Sequence, residues 1–175
     1  NLWPLSIPTD FSMPDSTNVF EDNKYQGIFV EFDNERKIGH NATEENPALT
    51  VWAYQSVPYC YMHESYNFEI KGFGTLKIKG GETAENPTKV LVYAKRIMLY
   101  TDTERAVLDL DKNIVFDAYN SSSTWEGIAS MGKINYNHFY TSNEEKNIFI
   151  SNADYSDVGE KAEEKIISGS GNENY

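Results

Sequence analysis

Short alternating segments recur along this chain, each only a few residues long and each closed by turn-forming residues, and that rhythm constrains the fold more than any other feature. In residues 25–33 (YQGIFVEFD), Ile28, Val30 and Phe32 alternate with Phe29 and Glu31; in residues 75–79 (TLKIK), Leu76 and Ile78 alternate with Lys77 and Lys79. A period of two belongs to strands with two unlike faces. Further segments of this kind stand at 48–56, 59–63, 66–71, 89–94, 96–101, 106–110, 113–119, 133–141 and 147–152. At roughly 8 to 12 residues from one to the next, they point to an all-β fold. The expectation is a two-sheet β-sandwich of jelly-roll type, with a closed β-barrel as the alternative. A parallel β-helix over residues 74–117 ranks below both, because no internal repeat of fixed period is evident and solenoids usually show one.

Within this series an aromatic row stands out between Ala48 and Ile70: Trp52 and Tyr54, Tyr59 and Tyr61, Tyr66 and Phe68. Rings at every second position cover one face of a sheet. With Cys60 and Pro58 inside the row and no catalytic group convincingly beside it, the row reads as the layer joining the two sheets.

The ends differ from the middle. Residues 1–14 hold Pro4, Pro8 and Pro14 beside Leu2, Trp3, Leu5, Ile7 and Phe11. Proline at that density prevents helix and central strand and leaves an extended apolar arm, which needs a groove on its own domain or on a neighbouring subunit. Near the other end Asp157 can cap a short helix, with Glu160 as its capping-box partner and Val158, Ala162 and Ile166 on one face. The division expected is an arm over 1–24, a β-sandwich domain over 25–155, and a short acidic helix with a flexible tail over 156–175.

Charge narrows the partners. The net charge of −12 argues against a phosphate backbone as ligand, so no nucleic acid is expected. It is spread unevenly, −8 over residues 1–70, +3 over 71–105 and −7 over 106–175, which suits strands that pair within one sheet or protomers that pack acidic against basic surface. Cys60 stands alone and reads as a small buried hydrophobe, excluding an intrachain disulfide and a cysteine zinc site. No stretch approaches the roughly 20 apolar residues of a membrane span.

Most candidate chemistry has a plain structural reading. Asp109, Asp111 and Asn113 begin like a calcium loop, but Ile114 stands where the sharp-turn glycine belongs and Asn120 where the bidentate glutamate belongs, so the stretch reads as a polar turn. His40, His63 and His138 lack metal-ligand spacing, and His63 reads as a strand-end polar residue. Glu64, with Glu69 or Glu126, lies near rings, the least remote setting for glycoside hydrolysis. Gly80-Gly81 is a turn, and neither a serine nucleophile elbow nor a phosphate-binding loop exists. Metal and cofactor are both expected to be none. Asn41-Ala42-Thr43 and Asn120-Ser121-Ser122 match the glycosylation sequon.

The strongest lead is surface aromatics. Tyr119 and Trp125 flank a serine-rich loop, and Tyr136 and Tyr140 share one face of the next strand with His138, so these four rings form the expected binding platform. The function expected is a non-enzymatic structural or protein-interaction subunit of an extracellular, cell-surface or virion assembly. It would work as a homo-oligomer or within a larger assembly, with Leu2, Trp3, Leu5, Ile7 and Phe11 as the interaction arm. A carbohydrate-binding module with a glycan ligand and a barrel for a small apolar ligand are the alternatives.

Overall fold

A computed structural model describes residues 3–15, 25–100, 106–120, 124–131, 137–141, 148–150 and 164–167. Fourteen strands form: β1 (Leu5–Pro8), β2 (Ile28–Glu31), β3 (Ala48–Trp52), β4 (Tyr59–Tyr61), β5 (Phe68–Lys71), β6 (Gly74–Ile78), β7 (Thr88–Val92), β8 (Ile97–Tyr100), β9 (Ala106–Leu110), β10 (Ile114–Ala118), β11 (Ile128–Met131), β12 (Asn137–Thr141), β13 (Ile148–Ile150) and β14 (Glu164–Ile167). They fall into three sheets: sheet I in the order β1-β2-β4-β7-β10-β13, sheet II in the order β5-β8-β11-β14, and sheet III in the order β3-β6-β9-β12. Every pairing is parallel except that of β11 with β14.

From β4 onward the chain visits sheets I, II and III in rotation, so each circuit is one coil of a parallel β-helix. The jelly-roll sandwich is therefore overturned. That fold joins antiparallel neighbours through tight turns, whereas here β4, β5 and β6 pass to three different sheets. The closed barrel falls too, because sheet I ends openly at β1 and β13. Alternation was read correctly, but alternation reports only that a strand has two faces, and parallel and antiparallel strands share it.

Coil length explains why no repeat was legible. Ile28 pairs with Tyr59 and Tyr59 with Val90, so two coils are 31 residues long. Val90 pairs with Phe116 after 26 residues, and Ile114 with Ile148 after 34. The corners absorb the difference while the register in the sheets is kept.

Inward positions stack into columns along the coils. Ile28, Tyr59, Val90 and Phe116 form one, Trp52, Ile78 and Leu110 another, and Phe68, Ile97 and Ile128 a third, all buried. The aromatic row is thus not one face of one sheet. Trp52 comes from sheet III, Tyr59 and Tyr61 from sheet I and Phe68 from sheet II, and they meet in the interior. Trp52 stacks on Tyr59 at 4.7 Å and meets Phe68 edge-on at 5.4 Å, while Tyr61 meets Phe68 edge-on at 5.3 Å. Their polar tips are satisfied by backbone: Tyr59 donates to the Ala53 carbonyl, Tyr61 to those of Tyr66 and Asn67, and Trp52 Nε1 to that of Phe11. Where Val30, Trp52, Tyr61, Leu76 and Val92 converge, no space remains for a water molecule.

The N-terminal residues join this scaffold. Leu5–Pro8 is the edge strand of sheet I, a place that tolerates proline, and Ile7 packs beside Val30 in the core. Met13 pairs with Trp52 and is also buried. Described residues 3–15 thus open the first coil. The expected C-terminal helix is replaced where it is described: Ile166 lies in β14 opposite Ala129. Adjacent β-branched Ile166 and Ile167 suit a strand, and residues 157–163 lie outside the described residues.

The coils also account for the charge pattern. Five bases of the basic middle segment pair with acids of the flanking segments: Lys71 with Glu69, Lys77 with Asp109, Lys79 with Asp15, and both Lys95 and Arg96 with Glu126. Lys77 and Asp109 stand directly opposite each other on β6 and β9.

Candidate functional site

Of the four rings expected to form a platform, Trp125 and Tyr119 are described with their side chains. Trp125 is 1% exposed and belongs to the core. Tyr119 is half-buried and tilts against Trp3 with ring centres 6.2 Å apart; burial raises its phenol above the ordinary value. Tyr140 lies in β12 opposite Asp109, and Tyr136 lies outside the described residues.

The expected arm residues also separate. Ile7 is core, Leu5 packs against the core, and Leu2 lies outside the described residues. Trp3 covers the outer face of sheet I, stacked on Tyr25 at 4.8 Å and on Phe29 at 5.5 Å. Beside it Cys60 is buried, and a Cβ at Gly27 would stand 2.8 Å from its Sγ and 3.1 Å from the Trp3 ring. Burial pushes the Cys60 thiol up to about 12, so it stays protonated and unreactive at neutral pH.

Other candidates are committed to structural partners. Asp109 accepts from Lys77 Nζ at 3.0 Å, and the Asn113 amide donates to the Gly81 carbonyl at 3.0 Å, which fixes a left-handed corner at φ 58°. Glu69 holds Lys37 at 2.6 Å and Lys71 at 3.3 Å; Glu126 holds Arg96 at 3.0 Å and Lys95 at 3.2 Å. His63 Nδ1 accepts from the backbone N–H groups of Ser65 and Tyr66, so its ring proton sits on Nε2. Among the described residues no three His, Cys, Asp or Glu side chains are placed to hold a metal ion. No helix among them is long and apolar enough to cross a membrane.

Several side chains without a structural partner gather at the first coil. Residues 10–13 run beside β3, with Thr50 Oγ1 donating to the Asp10 carbonyl, the Val51 N–H to Ser12 Oγ and the Met13 N–H to the Val51 carbonyl. On this edge Phe11 is 43% and Leu49 62% exposed; with Tyr66 they are the large hydrophobic side chains that stand exposed among the described residues. Next to them the corner from sheet II to sheet III widens into a loop. It is shaped by the Asp33 carboxylate on the Glu35 N–H, by the His40 N–H on the Lys37 carbonyl, and by reciprocal backbone bonds between Thr43 and Asn46. Between this loop and Asp10 lies a cleft of about 350 Å³, whose lining includes Glu35, His40, Asn41, Asn46 and Leu49. Asp10 Oδ1 accepts no well-directed hydrogen bond and is held by the Arg36 guanidinium 3.0 Å away.

The neighbouring corner, from sheet I to sheet II, carries a second exposed ring, Tyr66. Tyr66 stacks on Phe32 with centres 4.4 Å apart and planes 5° from parallel, His63 packs against both, and Lys37 Nζ stands 5.4 Å from the Phe32 ring. Sequence reading passed over the cleft because residues 34–47 look like any polar loop. The available signal was length, since connections of that size are often functional.

No protein-family model matches this chain, and neither does any curated protein or solved structure.

Proposed function

We infer that the chain serves as a non-enzymatic structural or interaction subunit of an extracellular, cell-surface or virion assembly, and that it docks through the end formed by its first coil. The observation that carries this reading is the placing of Phe11 and Leu49. A rigid stack of coils has its apolar side chains inside, and these two stay outside on neighbouring stretches of backbone. Exposed anchors with a polar rim are the anatomy of a protein contact. The partner is a second copy of the chain, which brings the same anchors.

Light scattering tests this. Between about 1 and 200 µM, the range that populates weak interfaces, the mass should rise above the 20.0 kDa of one chain. Phe11→Ser with Leu49→Ser should hold it there. A single-chain mass for the unaltered protein at every concentration contradicts the reading.

A further inference from the structure

We propose that the first-coil cleft binds a neutral saccharide unit. Several polar side chains along the coils of this fold are paired: Ser6 donates to Glu31, Lys77 pairs with Asp109, Lys79 with Asp15, Lys37 and Lys71 with Glu69, and Lys95 and Arg96 with Glu126. The cleft is different. Among the described residues, no hydrogen bond engages the side chains of His40, Asn41, Asn46 or Glu35, yet all four line the same space.

Volume and lining select the ligand. About 350 Å³ lies at the small end of the range for small-molecule sites, roughly 300 to 1,000 Å³. Two amides and an imidazole offer donors and acceptors together, and Glu35 adds acceptors, which matches hydroxyl groups that both give and receive hydrogen bonds. Pro47, Ala48 and the exposed Leu49 supply an apolar shelf for the non-polar face of a sugar ring. An anion is disfavoured by the unpaired carboxylate of Glu35, the other charges of the cleft being paired, Lys37 with Glu69 at 2.6 Å and Asp10 with Arg36 at 3.0 Å. The cleft's polar lining comes from the loop of residues 35–47, while Leu49 is shared with the docking surface, so sugar binding and self-association are read separately in the test.

The test uses the full chain, ¹⁵N-labelled and produced without glycosylation so that Asn41 is bare. Cellobiose, maltose, lactose and N,N′-diacetylchitobiose are titrated to about 20 mM, since a cleft with few contacts holds ligands at millimolar strength. Saturable shifts confined to the backbone amides of Asp10 and residues 39–50 are expected for at least one sugar. Asn41→Ala with Asn46→Ala should weaken that binding by about fivefold or more while leaving the thermal midpoint unchanged. No saturable shift at these amides with any of the four sugars overturns the proposal, as does binding that the double variant leaves intact. Light scattering of the same samples reads self-association separately, so failure of one proposal is not mistaken for failure of the other.

Discussion

Gly39 and Gly74 stand back to back where sheet II hands over to sheet III: a Cβ built on either would lie 2.7 Å from the Cα of the other. Gly39 also has φ of 81°, and its Cβ would meet the Lys71 carbonyl oxygen at 1.9 Å. Backbone cannot yield there as a side chain would. Gly39→Ala should therefore cost roughly 3 kcal/mol or more. Gly72, with φ of 53°, provides the control, because its Cβ would meet only the Gly39 oxygen at an ordinary 3.6 Å. Gly72→Ala should cost about 1 kcal/mol. Urea unfolding of both variants checks the ordering, and equal losses would contradict the packing of this corner.

Ion pairs between coils should differ by burial. Arg96 is 8% exposed and its Nε donates to Glu126 at 3.0 Å, whereas Lys79 and Asp15 are 41% and 69% exposed. Glu126→Gln leaves a buried guanidinium without its carboxylate and should cost about 2 kcal/mol, short of the full buried-pair loss because Glu126 keeps some solvent. Asp15→Asn should change stability by less than about 0.5 kcal/mol. Denaturant midpoints of the two single variants decide this.

Alkaline pH should destabilise the fold. The Cys60 thiol is pushed up to about 12 from an ordinary 9.0, so above pH 9 the unfolded chain loses a proton that the folded chain keeps. Stability is complete below that point and falls as pH rises toward the folded value. Burial raises the Tyr59 and Tyr61 phenols above 10.0, and the hydrogen bond to Asp109 raises Lys77 above 10.5, so these groups add loss in the same direction. The urea midpoint should drop from pH 9 upward, and Cys60→Ala should flatten the first part of that drop. Trp3→Ala should speed the reaction of Cys60 with a thiol reagent at neutral pH. A pH profile unchanged by Cys60→Ala would contradict the buried thiol.

Strand positions were readable because alternation is local: the inward Leu76 and Ile78 and the outward Thr75 and Lys77 of β6 stand as their order in the chain implies. Pairing was not readable. Tyr59 is joined to Ile28 and Val90, each 31 residues away, and the next coil shortens to 26, so no fixed period announces a helix of strands. The basic middle did carry part of the information, since Lys77, Lys95 and Arg96 mark acids one coil away. Trp125 shows the limit of reading rings as surface features: neighbouring serines suggested exposure, but a large indole contributes most when buried. The cleft was hidden for a related reason, because loop residues acquire a common space only when the ladder beneath them sets their distance.

The parallel coil, with rings from three sheets sharing one interior, underlies every other statement about this chain. Nuclear Overhauser contacts of Tyr59 test it most directly. Side-chain contacts are expected from the Tyr59 ring to Ile28, Val90 and Trp52, with contacts between Tyr61 and Phe68. A Tyr59 strand that shows the close Hα–Hα contacts of an antiparallel neighbour, with none to Ile28 or Val90, would contradict it.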